Sequence, residues 1–459
     1  MEAISAISKQ KIENGQTVHN GKFVRNSGSY KIVDIMLAAG NHIAVSETGQ
    51  VKGKKTILIS GAGTAGLAAA FEAHAKGFEV VIAEKRDEFS RFNVINLNRE
   101  AQVFLRKHGL LEEFETSVAA RITDHQIVVF GEGCTKPFPP ADVSRLQFEG
   151  FLPKDPAKFK DLFNEDGIYS VQIKDLQAFL AQKAAALGIK ILGNAETILS
   201  QPVEREGLAK VEILQKTSPA PPLTITPDLI FIAEGARSQS AINLGMANEK
   251  NDTVDNACTN ENWVFGNLNY HGSKTFVLSM IITAQKTLQI ANVIFNANSK
   301  VVNVAVTSGK NMSEKAIRNL ILAAAQKAFD YIGIADAPDI INVVKTPVQV
   351  ANRIASLCSE GNVFRIGDAA GHSSPLAGLG GTLGLTLVPC TVEQLLEDYQ
   401  YNLDNIHSNF KTFTQAYVNK WIDKSLSVKK IILGMLEQEQ PSAAKHANAA
   451  HAEGGINAT

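Results

Sequence analysis

Residues 56–85 constrain the fold more than any other stretch of this sequence. An apolar run at 56–60 predicts a buried strand, and the alanine-rich residues 65–76 predict a helix that Gly77 would end. The segment EVVIAEK then predicts a second strand. Strand, helix and strand in this order favour a βαβ unit with a parallel sheet, and therefore an α/β fold.

The turn after the first strand carries three glycines at GxGxxG spacing. Gly61 allows the tight turn, Gly63 lets the backbone approach a pyrophosphate, and Gly66 lets the helix pack closely on the strand. Glu84 ends the next strand, where a carboxylate accepts hydrogen bonds from ribose hydroxyls and disfavours a 2′-phosphate. The alternative is a plain strand-to-helix turn with Glu84 facing solvent. We predict a dinucleotide site, which FAD or NAD could occupy.

A second glycine-rich segment, residues 364–385, distinguishes between these two dinucleotides. Asp368 stands at a predicted strand end, and Gly378, Gly380, Gly381 and Gly384 precede a predicted helix. FAD lies extended, so a late carboxylate can bind its ribityl hydroxyls and a helix start can face the flavin's polar edge. An NAD enzyme needs no such second apparatus. FAD is therefore favoured, and the alternative is an unrelated loop that caps a helix.

With these motifs in order, the sequence resembles the para-hydroxybenzoate-hydroxylase-type (class A) FAD-dependent monooxygenases over residues 56–400. The resemblance implies a doubly wound, Rossmann-like FAD-binding domain with an inserted β-rich substrate domain and C-terminal helices. The central motif is met by DLIFIAEGARSQS. The matching positions are Asp228, Gly235, Ala236, Arg237 and Ser238 in the centre, and Gly367, Asp368, Ala369, Ala370, Pro375, Gly378, Gly380 and Gly384 in the late segment.

A narrower stretch, EKRDEFSRFNVINL, resembles the monooxygenase module of the MICAL proteins, flavoenzymes that oxidise actin methionines. This resemblance implies that Arg91 and Asn93 lie along the flavin. The calponin-homology and LIM modules that accompany MICAL enzymes are absent from the sequence. We therefore interpret the likeness as shared sequence features for flavin binding, and a protein substrate such as actin is the minority hypothesis.

The sequence departs from the family pattern at four positions. Glu234 replaces an aspartate, Lys174 an arginine and Thr382 an asparagine, and His372 stands one residue beyond the usual histidine. A point-charge ammonium cannot reproduce the bidentate geometry of arginine. The predicted cofactor-binding residues are Gly61, Gly63, Ala65, Gly66, Glu84, Lys85, Arg91, Asn93, Lys174, Glu234, Gly235, Asp368, Pro375, Gly378, Gly380, Gly381 and Thr382.

Two residues are candidate catalytic groups. His372 lies in the loop expected to border the flavin ring, where an imidazole could transfer a proton; the alternative is a loop histidine bonded to backbone. Arg91 is assigned a flavin-side role by the resemblance, and the alternative is a solvated loop arginine. The sequence contains no Ser/His/Asp or Cys/His constellation for nucleophilic catalysis.

The predicted organisation has five parts. An N-terminal extension (1–50) precedes the FAD-binding domain (51–240 together with 351–400), which is interrupted by a β-rich substrate domain (241–350). C-terminal helices (401–437) and a disordered tail (438–459) follow.

Composition excludes several classes of protein. The 459 residues include 45 basic and 46 acidic side chains, so no global field favours nucleic acid or a charged membrane. Four scattered cysteines have no zinc-like spacing, which predicts reduced thiols and no metal site. No stretch reaches the roughly 20 apolar residues of a membrane span, and the N-terminus has no signal-peptide core. We predict a soluble, cytoplasmic protein.

The resemblance implies that NADPH or NADH docks transiently and reduces FAD. O2 would then form a flavin C4a-hydroperoxide that inserts one oxygen atom into a small aromatic or polyketide-like substrate. A halogenase of this fold would carry WxWxIP, which neither Trp263 nor Trp421 provides. Three further functions compete with the monooxygenase: a prenyl reductase, a MICAL-like oxidase of protein methionine and a non-catalytic flavin-binding interaction module.

Overall fold

The computed structural model describes residues 23–25, 28–39, 55–97, 99–131, 134–137, 168–199, 209–216, 222–246, 261–284, 287–350, 352–374, 380–401 and 405–439. Its strands are β1 (Tyr30–Lys31), β2 (Thr56–Ser60), β3 (Glu79–Ala83), β4 (Glu88–Phe89), β5 (Val94–Leu97), β6 (Ala120–Arg121), β7 (Asp124–Gly131), β8 (Cys134–Pro137), β9 (Tyr169–Gln172), β10 (Lys190–Leu192), β11 (Ala195–Leu199), β12 (Val211–Gln215), β13 (Leu223–Ile225), β14 (Leu229–Ile232), β15 (Glu261–Asn269), β16 (Phe276–Ala284), β17 (Thr287–Asn296), β18 (Val301–Ser308), β19 (Ile340–Val343), β20 (Val348–Val350), β21 (Arg353–Ile354), β22 (Ser359–Glu360), β23 (Val363–Arg365) and β24 (Gly371–His372).

The helices are α1 (Ile32–Ala38), α2 (Thr64–Ala75), α3 (Arg99–Lys107), α4 (Leu111–Glu113), α5 (Ile173–Ala186), α6 (Gln239–Asn243), α7 (Glu314–Ile332), α8 (Gly380–Tyr401) and α9 (Ile406–Glu439). A π-helical turn (Phe114–Val118) continues α4, and a 3₁₀ turn (Gly367–Ala369) follows β23. Among the described residues, no helix is both long and apolar enough to cross a membrane.

Six strands form the central sheet in the order β10–β3–β2–β14–β23–β22, with all neighbours parallel except the edge strand β22. Ile57, Ile59 and Phe231 pack in the core with residues of α2, α5 and α8. Leu58 and Ile230 pack instead with the antiparallel sheet β11–β12–β13. Both faces are therefore covered, which explains why these strands are apolar throughout. The predicted α/β fold with a parallel sheet is confirmed.

Part of the segment that precedes the first long strand belongs to this core. Tyr30 pairs with Phe89 in the short β1–β4 ladder, and its hydroxyl donates to the Asp175 carboxylate at 2.9 Å. Ile32 is fully buried beside Gly193, where an added Cβ would lie 3.1 Å from the Ile32 Cβ. Residues 30–36 therefore help to fix α5, which borders the candidate site.

The packing of α1 predicts that alanine substitutions at two neighbouring residues differ greatly in their effect on the free energy of unfolding. Ile32→Ala removes a side chain that is 0% exposed, so the free energy of unfolding should fall by about 2–4 kcal/mol. Val33→Ala is the matched control because Val33 is 46% exposed, and its effect should stay within about 0.5 kcal/mol. Urea unfolding of both variants measures the difference. Equal losses would show that α1 does not pack as described.

The second large sheet has the order β19–β15–β18–β17–β16–β7–β8, with β20 also pairing with β15. One face packs on α7, which begins after the cap Ser313 and ends at the left-handed Gly333. The strands β7 and β8 come from residues 124–137, which the sequence analysis assigned to the FAD-binding part, and they extend the sheet of the 241–350 region. The five-part division of the chain itself stays a prediction, and the tail from residue 440 lies outside the described residues.

Candidate functional site

A cleft of about 460 Å³ opens at the carboxyl ends of β2, β3, β14 and β23. In a parallel α/β sheet this edge is where ligands bind, because helices begin there with unpaired N–H groups. Its lining includes Gly61, Gly63, Ala65, Glu84, Lys85, Arg91, Gln177, Glu234, Gly235, Asp368, Gly380, Gly381, Tyr417 and Trp421. Motifs that are more than 300 residues apart in the chain thus meet around one cavity.

The three glycines of the first motif have different reasons to be glycine. Gly61 has φ +107°, and an added Cβ would lie 2.6 Å from the Ala233 carbonyl oxygen. A Cβ on Gly66 would overlap the Gly61 carbonyl oxygen. Gly63 has φ −68°, and a Cβ there would meet no protein atom closer than 3.9 Å. The protein therefore leaves space beside Gly63, as the predicted close approach of a ligand requires.

Glu84 is held in position by the turn that it faces. Its Oε2 accepts a hydrogen bond from the Ala62 N–H at 2.9 Å, and its Oε1 accepts from the Arg86 N–H and Nε at 3.1 and 3.0 Å. The side chain is buried at the cleft wall. A fixed carboxylate at this place can accept hydrogen bonds from ribose hydroxyls.

Gln177 is a cleft residue that the sequence analysis missed. Its Nε2 donates to the Ala62 carbonyl oxygen at 3.0 Å, whereas its Oε1 has no hydrogen-bond partner although the side chain is 0% exposed. A buried acceptor without a donor is costly, and a ligand in the cleft would satisfy it. The available signal was a polar residue within the apolar face of the predicted helix at 174–187. Glu84 and the Gln177 Oε1 are both hydrogen-bond acceptors, and they fit a dinucleotide that carries donor groups such as ribose hydroxyls.

Asp368 also lines the cleft, from the 3₁₀ turn after β23. The preceding Gly367 has φ +60°, and a Cβ there would lie 2.6 Å from the Ala65 Cβ. The buried Arg365 fixes the turn because its Nε donates to the Ala369 carbonyl oxygen at 2.7 Å. The turn thereby presents the Asp368 carboxylate to the cleft at a set position.

The loop that carries Arg91 and Asn93 is anchored through its backbone. Their carbonyl oxygens accept from the N–H groups of Lys174 and Ile173, at 3.0 and 2.9 Å, at the start of α5. The Arg91 side chain is solvent-accessible within the cleft, but the surrounding walls exclude much of its water. This desolvation, together with the nearby Arg86, lowers the pKa of Arg91. Asn93 is not among the lining residues.

The start of α8 forms the wall beside Ile95. A Cβ on Gly381 would lie 2.5 Å from the Ile95 Cδ1, so the end of that side chain would have to shift. The first N–H groups of an α-helix have no partner within the helix and can serve a ligand. Of the predicted residues in this segment, Pro375 and Gly378 lie outside the described residues, and only the backbone of Thr382 is described.

Lys174 is placed away from the cleft and does not line it. Its ammonium donates to the Gly28 carbonyl oxygen at 2.5 Å, and burial lowers its pKa. The residue therefore tethers the segment before β1 to α5. Its predicted contact with the cofactor is therefore not supported by its place in the fold.

Glu234 borders the cleft, but its carboxylate is bonded to protein groups. Oε1 accepts from the Ser60 hydroxyl at 2.5 Å and from the Ser240 hydroxyl, and Oε2 accepts from the Ser238 hydroxyl at 2.8 Å. The Thr197 hydroxyl, on the small antiparallel sheet, also donates to Oε1 at 3.3 Å. Both oxygens are thus engaged in joining the two sheets, whereas the sequence analysis predicted contact with the cofactor.

His372 is also placed differently from the prediction. It belongs to β24, which pairs with β21, and it is not among the residues that line the cleft. Its Nδ1 is buried without a hydrogen-bond partner. Burial lowers the pKa of His372 more than the nearby Asp368 raises it. The imidazole therefore does not border the cleft, and its predicted part in proton transfer stays a prediction.

The sequence analysis missed two aromatic residues of α9 that complete the cleft. Tyr417 and Trp421 are one helical turn apart and both line it. Burial raises the pKa of Tyr417, so its hydroxyl keeps its proton. No motif marks these residues; the available signal was their i, i+4 spacing on an amphipathic helix.

The face of the eight-stranded sheet opposite α7 meets the same loop. The Asn267 Nδ2 donates to the Phe92 carbonyl oxygen at 3.0 Å, and Val94 packs on Val277 and Ile294. Two residues beyond Val277 on β16, Ser279 lies opposite the half-buried Asn292 of β17. This step of roughly 7 Å leads away from the loop onto a partly open surface. The residues of this face whose side chains the structure describes are uncharged, namely Ser279, Asn292, Ala305, Phe265, Ile281, Ile290, Thr307 and Trp263.

His125 gives this face a polar chain that the sequence analysis missed. The Ser279 hydroxyl donates to the Asn292 Oδ1 at 2.9 Å and lies 3.1 Å from the His125 Nε2. Because the hydroxyl proton is used toward Asn292, the His125 Nε2 is the donor in the second bond. Burial lowers the pKa of His125 to about 4, which keeps the imidazole neutral near pH 7.

His125 predicts a pH-dependent loss of stability. Above pH 6.5 the residue is neutral in the folded and unfolded states; below that the unfolded chain takes up the proton first. The free energy of unfolding should therefore fall between pH 6.5 and 4, by at most roughly 3 kcal/mol. His125→Gln keeps a donor but cannot titrate, so its stability relative to wild type should improve over this range in urea unfolding. A constant difference would contradict the neutral, buried state.

A family model described as an FAD binding domain matches residues 54–389. Because this match covers most of the chain, the protein belongs to that family of FAD-binding proteins. A search of curated protein sequences finds no match.

Solved structures share the fold at low identity. PqsL of P. aeruginosa in complex with 2-aminobenzoylacetate is 14% identical, with a TM-score of 0.61, over 84% of this chain and 100% of that chain. The 2-methyl-3-hydroxypyridine-5-carboxylic acid oxygenase is 16% identical, with a TM-score of 0.60, over 84% and 94%. The flavin-dependent halogenase CmlS gives 16% and 0.60 over 80% of this chain, which spans 63% of the halogenase.

These findings confirm the FAD-binding family and the α/β FAD-binding fold recognised in the sequence. They do not show the narrower likeness to the MICAL module, which stays a prediction.

Proposed function

We propose that the protein is an FAD-dependent, NAD(P)H-using monooxygenase that transfers one oxygen atom from O2 to a small, uncharged aromatic or polyketide-like molecule. One observation carries the proposal. The Arg91–Asn93 loop borders the cleft on one side and, on the other, a face of the large sheet whose described side chains are uncharged. A flavin ring at this end of the cleft would stand beside a surface able to hold an apolar substrate.

In this proposal the cleft residues hold the cofactor along its length. Glu84 and Gln177 bind the adenosine end, Gly63 and the start of α2 face the pyrophosphate, and Asp368 binds the ribityl chain. Arg91 and the start of α8, at Gly380 and Gly381, border the ring. When reduced by NADPH or NADH, FAD supplies the activation of O2, from which one atom enters the substrate and the second leaves as water.

The chain's own residues position the substrate and exclude water. Phe265 offers a flat apolar contact on the sheet face, and Ser279 and Asn292 offer a fixed pair of polar groups. His125 holds the Ser279 hydroxyl toward Asn292 and stays neutral. An uncharged face favours a substrate that enters without an ionised group.

The reductant needs no permanent site of its own. The sequence has one GxGxxG turn in a strand–turn–helix context, and the cleft at that turn is assigned to FAD. Because FAD takes this cleft, NADPH or NADH would dock only transiently to reduce it. Either nicotinamide could serve, because Glu84 acts on the adenosine of FAD and places no restriction on the reductant.

The test is a spectrum of the purified protein followed by a substrate screen. We expect a yellow protein with bound FAD, slow NADPH or NADH oxidation alone, and faster oxidation with uncharged aromatic compounds, accompanied by oxygenated product. A protein that stays colourless when FAD is added would overturn the proposal. Bound FAD with hydrogen peroxide as the only product, or with oxidation of actin methionines, would replace it by an oxidase of the MICAL kind.

A further inference from the structure

The indole N–H of Trp421 is buried without a partner at the ring end of the cleft. Trp421 is 5% exposed, lines the cleft and packs on Leu383. Its edge faces the start of α8, since a Cβ on Gly380 would lie 3.5 Å from the Trp421 Cζ2. Its Nε1 has no hydrogen-bond partner.

An unpaired buried donor costs about 1–3 kcal/mol. Of the buried side-chain atoms without a partner in the described part of the chain, two belong to residues of the cleft: the acceptor Gln177 Oε1 and the donor Trp421 Nε1. Gln177 belongs to α5 and Trp421 to α9, and both residues line the same cavity. The cavity thus retains one unused acceptor and one unused donor, as a ligand site does before its ligand is bound.

The donors near Trp421 indicate which ligand group it would meet. The first N–H groups of α8, from Gly380 onward, lack partners within the helix, and the positive end of the helix dipole lies there. Tyr417, whose hydroxyl keeps its proton, lines the same cleft. Such a set of donors fits a ligand edge that carries carbonyl oxygens and gains negative charge, which the pyrimidine edge of a flavin does on reduction.

We propose that the Trp421 indole N–H donates a hydrogen bond to a carbonyl oxygen of the flavin's pyrimidine edge, so that α9 completes the cofactor site. The inference rests on the proposed FAD placement. Trp421 lies beyond residues 54–389, which the family model matches, so this contact comes from a part of the chain outside the shared FAD-binding domain. Trp421 acts here as a positioning residue for the ring.

Trp421→Phe tests the contact because it keeps an aromatic ring and removes the donor. The dissociation constant for FAD, titrated into apoprotein, should rise about 5–30-fold, which corresponds to one lost hydrogen bond. The midpoint potential of the remaining bound flavin should become more negative. The melting temperature of the apoprotein should stay unchanged or rise, since the unpaired donor is gone.

The matched control is Trp263→Phe, because the protein has two tryptophans and Trp263 is buried in the large sheet. This variant should lower the melting temperature but change the FAD dissociation constant less than twofold. It also leaves Trp421 as the sole tryptophan, whose fluorescence should be strongly quenched when FAD binds. That measurement keeps the test valid if Trp421→Phe folds poorly.

The outcomes separate this inference from the proposed function. Wild type that binds no FAD would overturn both. Wild type that binds FAD, together with a Trp421→Phe variant of equal affinity and potential, would overturn the Trp421 contact alone. Trp421 fluorescence that does not respond to FAD would do the same.

Discussion

Replacing Gly63 with valine is expected to abolish FAD retention while the apoprotein stays folded. Gly63 has ordinary extended backbone angles, and a Cβ would have no protein atom within 3.9 Å. The added side chain therefore projects into the space that the pyrophosphate needs. We expect FAD binding at least 100-fold weaker, which is about 2.7 kcal/mol. The loss of a favoured N-cap residue should cost the apoprotein about 1 kcal/mol or less.

The measurements are the ratio of 450 nm to 280 nm absorbance after purification, an FAD titration and the apoprotein's melting temperature. Gly66→Ala is the control from the same turn. Its Cβ would overlap the Gly61 carbonyl oxygen, so the apoprotein should lose about 1–3 kcal/mol of stability. If Gly63→Val keeps its yellow colour, or unfolds as readily as Gly66→Ala, then glycine at 63 does not serve a ligand.

Glu234→Ala is expected to damage the fold, whereas Asp368→Ala is expected to damage FAD binding. Removing the Glu234 carboxylate leaves the hydroxyls of Ser60, Ser238 and Ser240 without their acceptor. For a half-buried carboxylate with these bonds we expect a loss of about 2–4 kcal/mol in the free energy of unfolding. The FAD dissociation constant, measured at a temperature where the variant is folded, should change less than about threefold.

Asp368 gives the opposite pattern because it faces the cleft from a turn whose backbone Arg365 already fixes. Asp368→Ala should weaken FAD binding about 10–100-fold through the loss of charged hydrogen bonds, with the apoprotein's unfolding curve unchanged. Urea unfolding and FAD titration on both variants test the pair. Weak FAD binding in a stable Glu234→Ala protein would show instead that Glu234 contacts the cofactor.

The predicted motifs located the cleft correctly because each depends on short-range geometry. The turn after β2 needs glycine at positions 61 and 66 for steric reasons that lie within a few residues or at the neighbouring strand. Asp368 and Glu84 follow strands of one parallel sheet, and parallel strands bring their carboxyl ends to one edge. Strand-end position was therefore enough to place these groups in a common site.

Position in a motif did not determine where a side chain points when several partners compete for it. Glu234 also ends a parallel strand, but hydroxyls from β2, β11 and the start of α6 engage its carboxylate. Lys174 begins α5 as predicted, and its ammonium turns to a carbonyl of the N-terminal segment. Lys174 and Gly28 are separated by 146 residues in the sequence, and Glu234 and Ser60 by 174 residues. No local sequence pattern identifies such distant partners.

The sequence by itself determined the fold class, the cofactor family and the edge of the sheet where the motif residues meet, because strand–glycine–helix patterns act over a few residues. Tertiary structure alone decided which of the candidate groups remain available to a ligand. The Gln177 and Trp421 side chains have an unsatisfied atom at the cleft, while Glu234 and Lys174 bond to protein partners. The physical reason is that a polar group's availability depends on every donor and acceptor that packing brings near it, and packing joins distant parts of the chain.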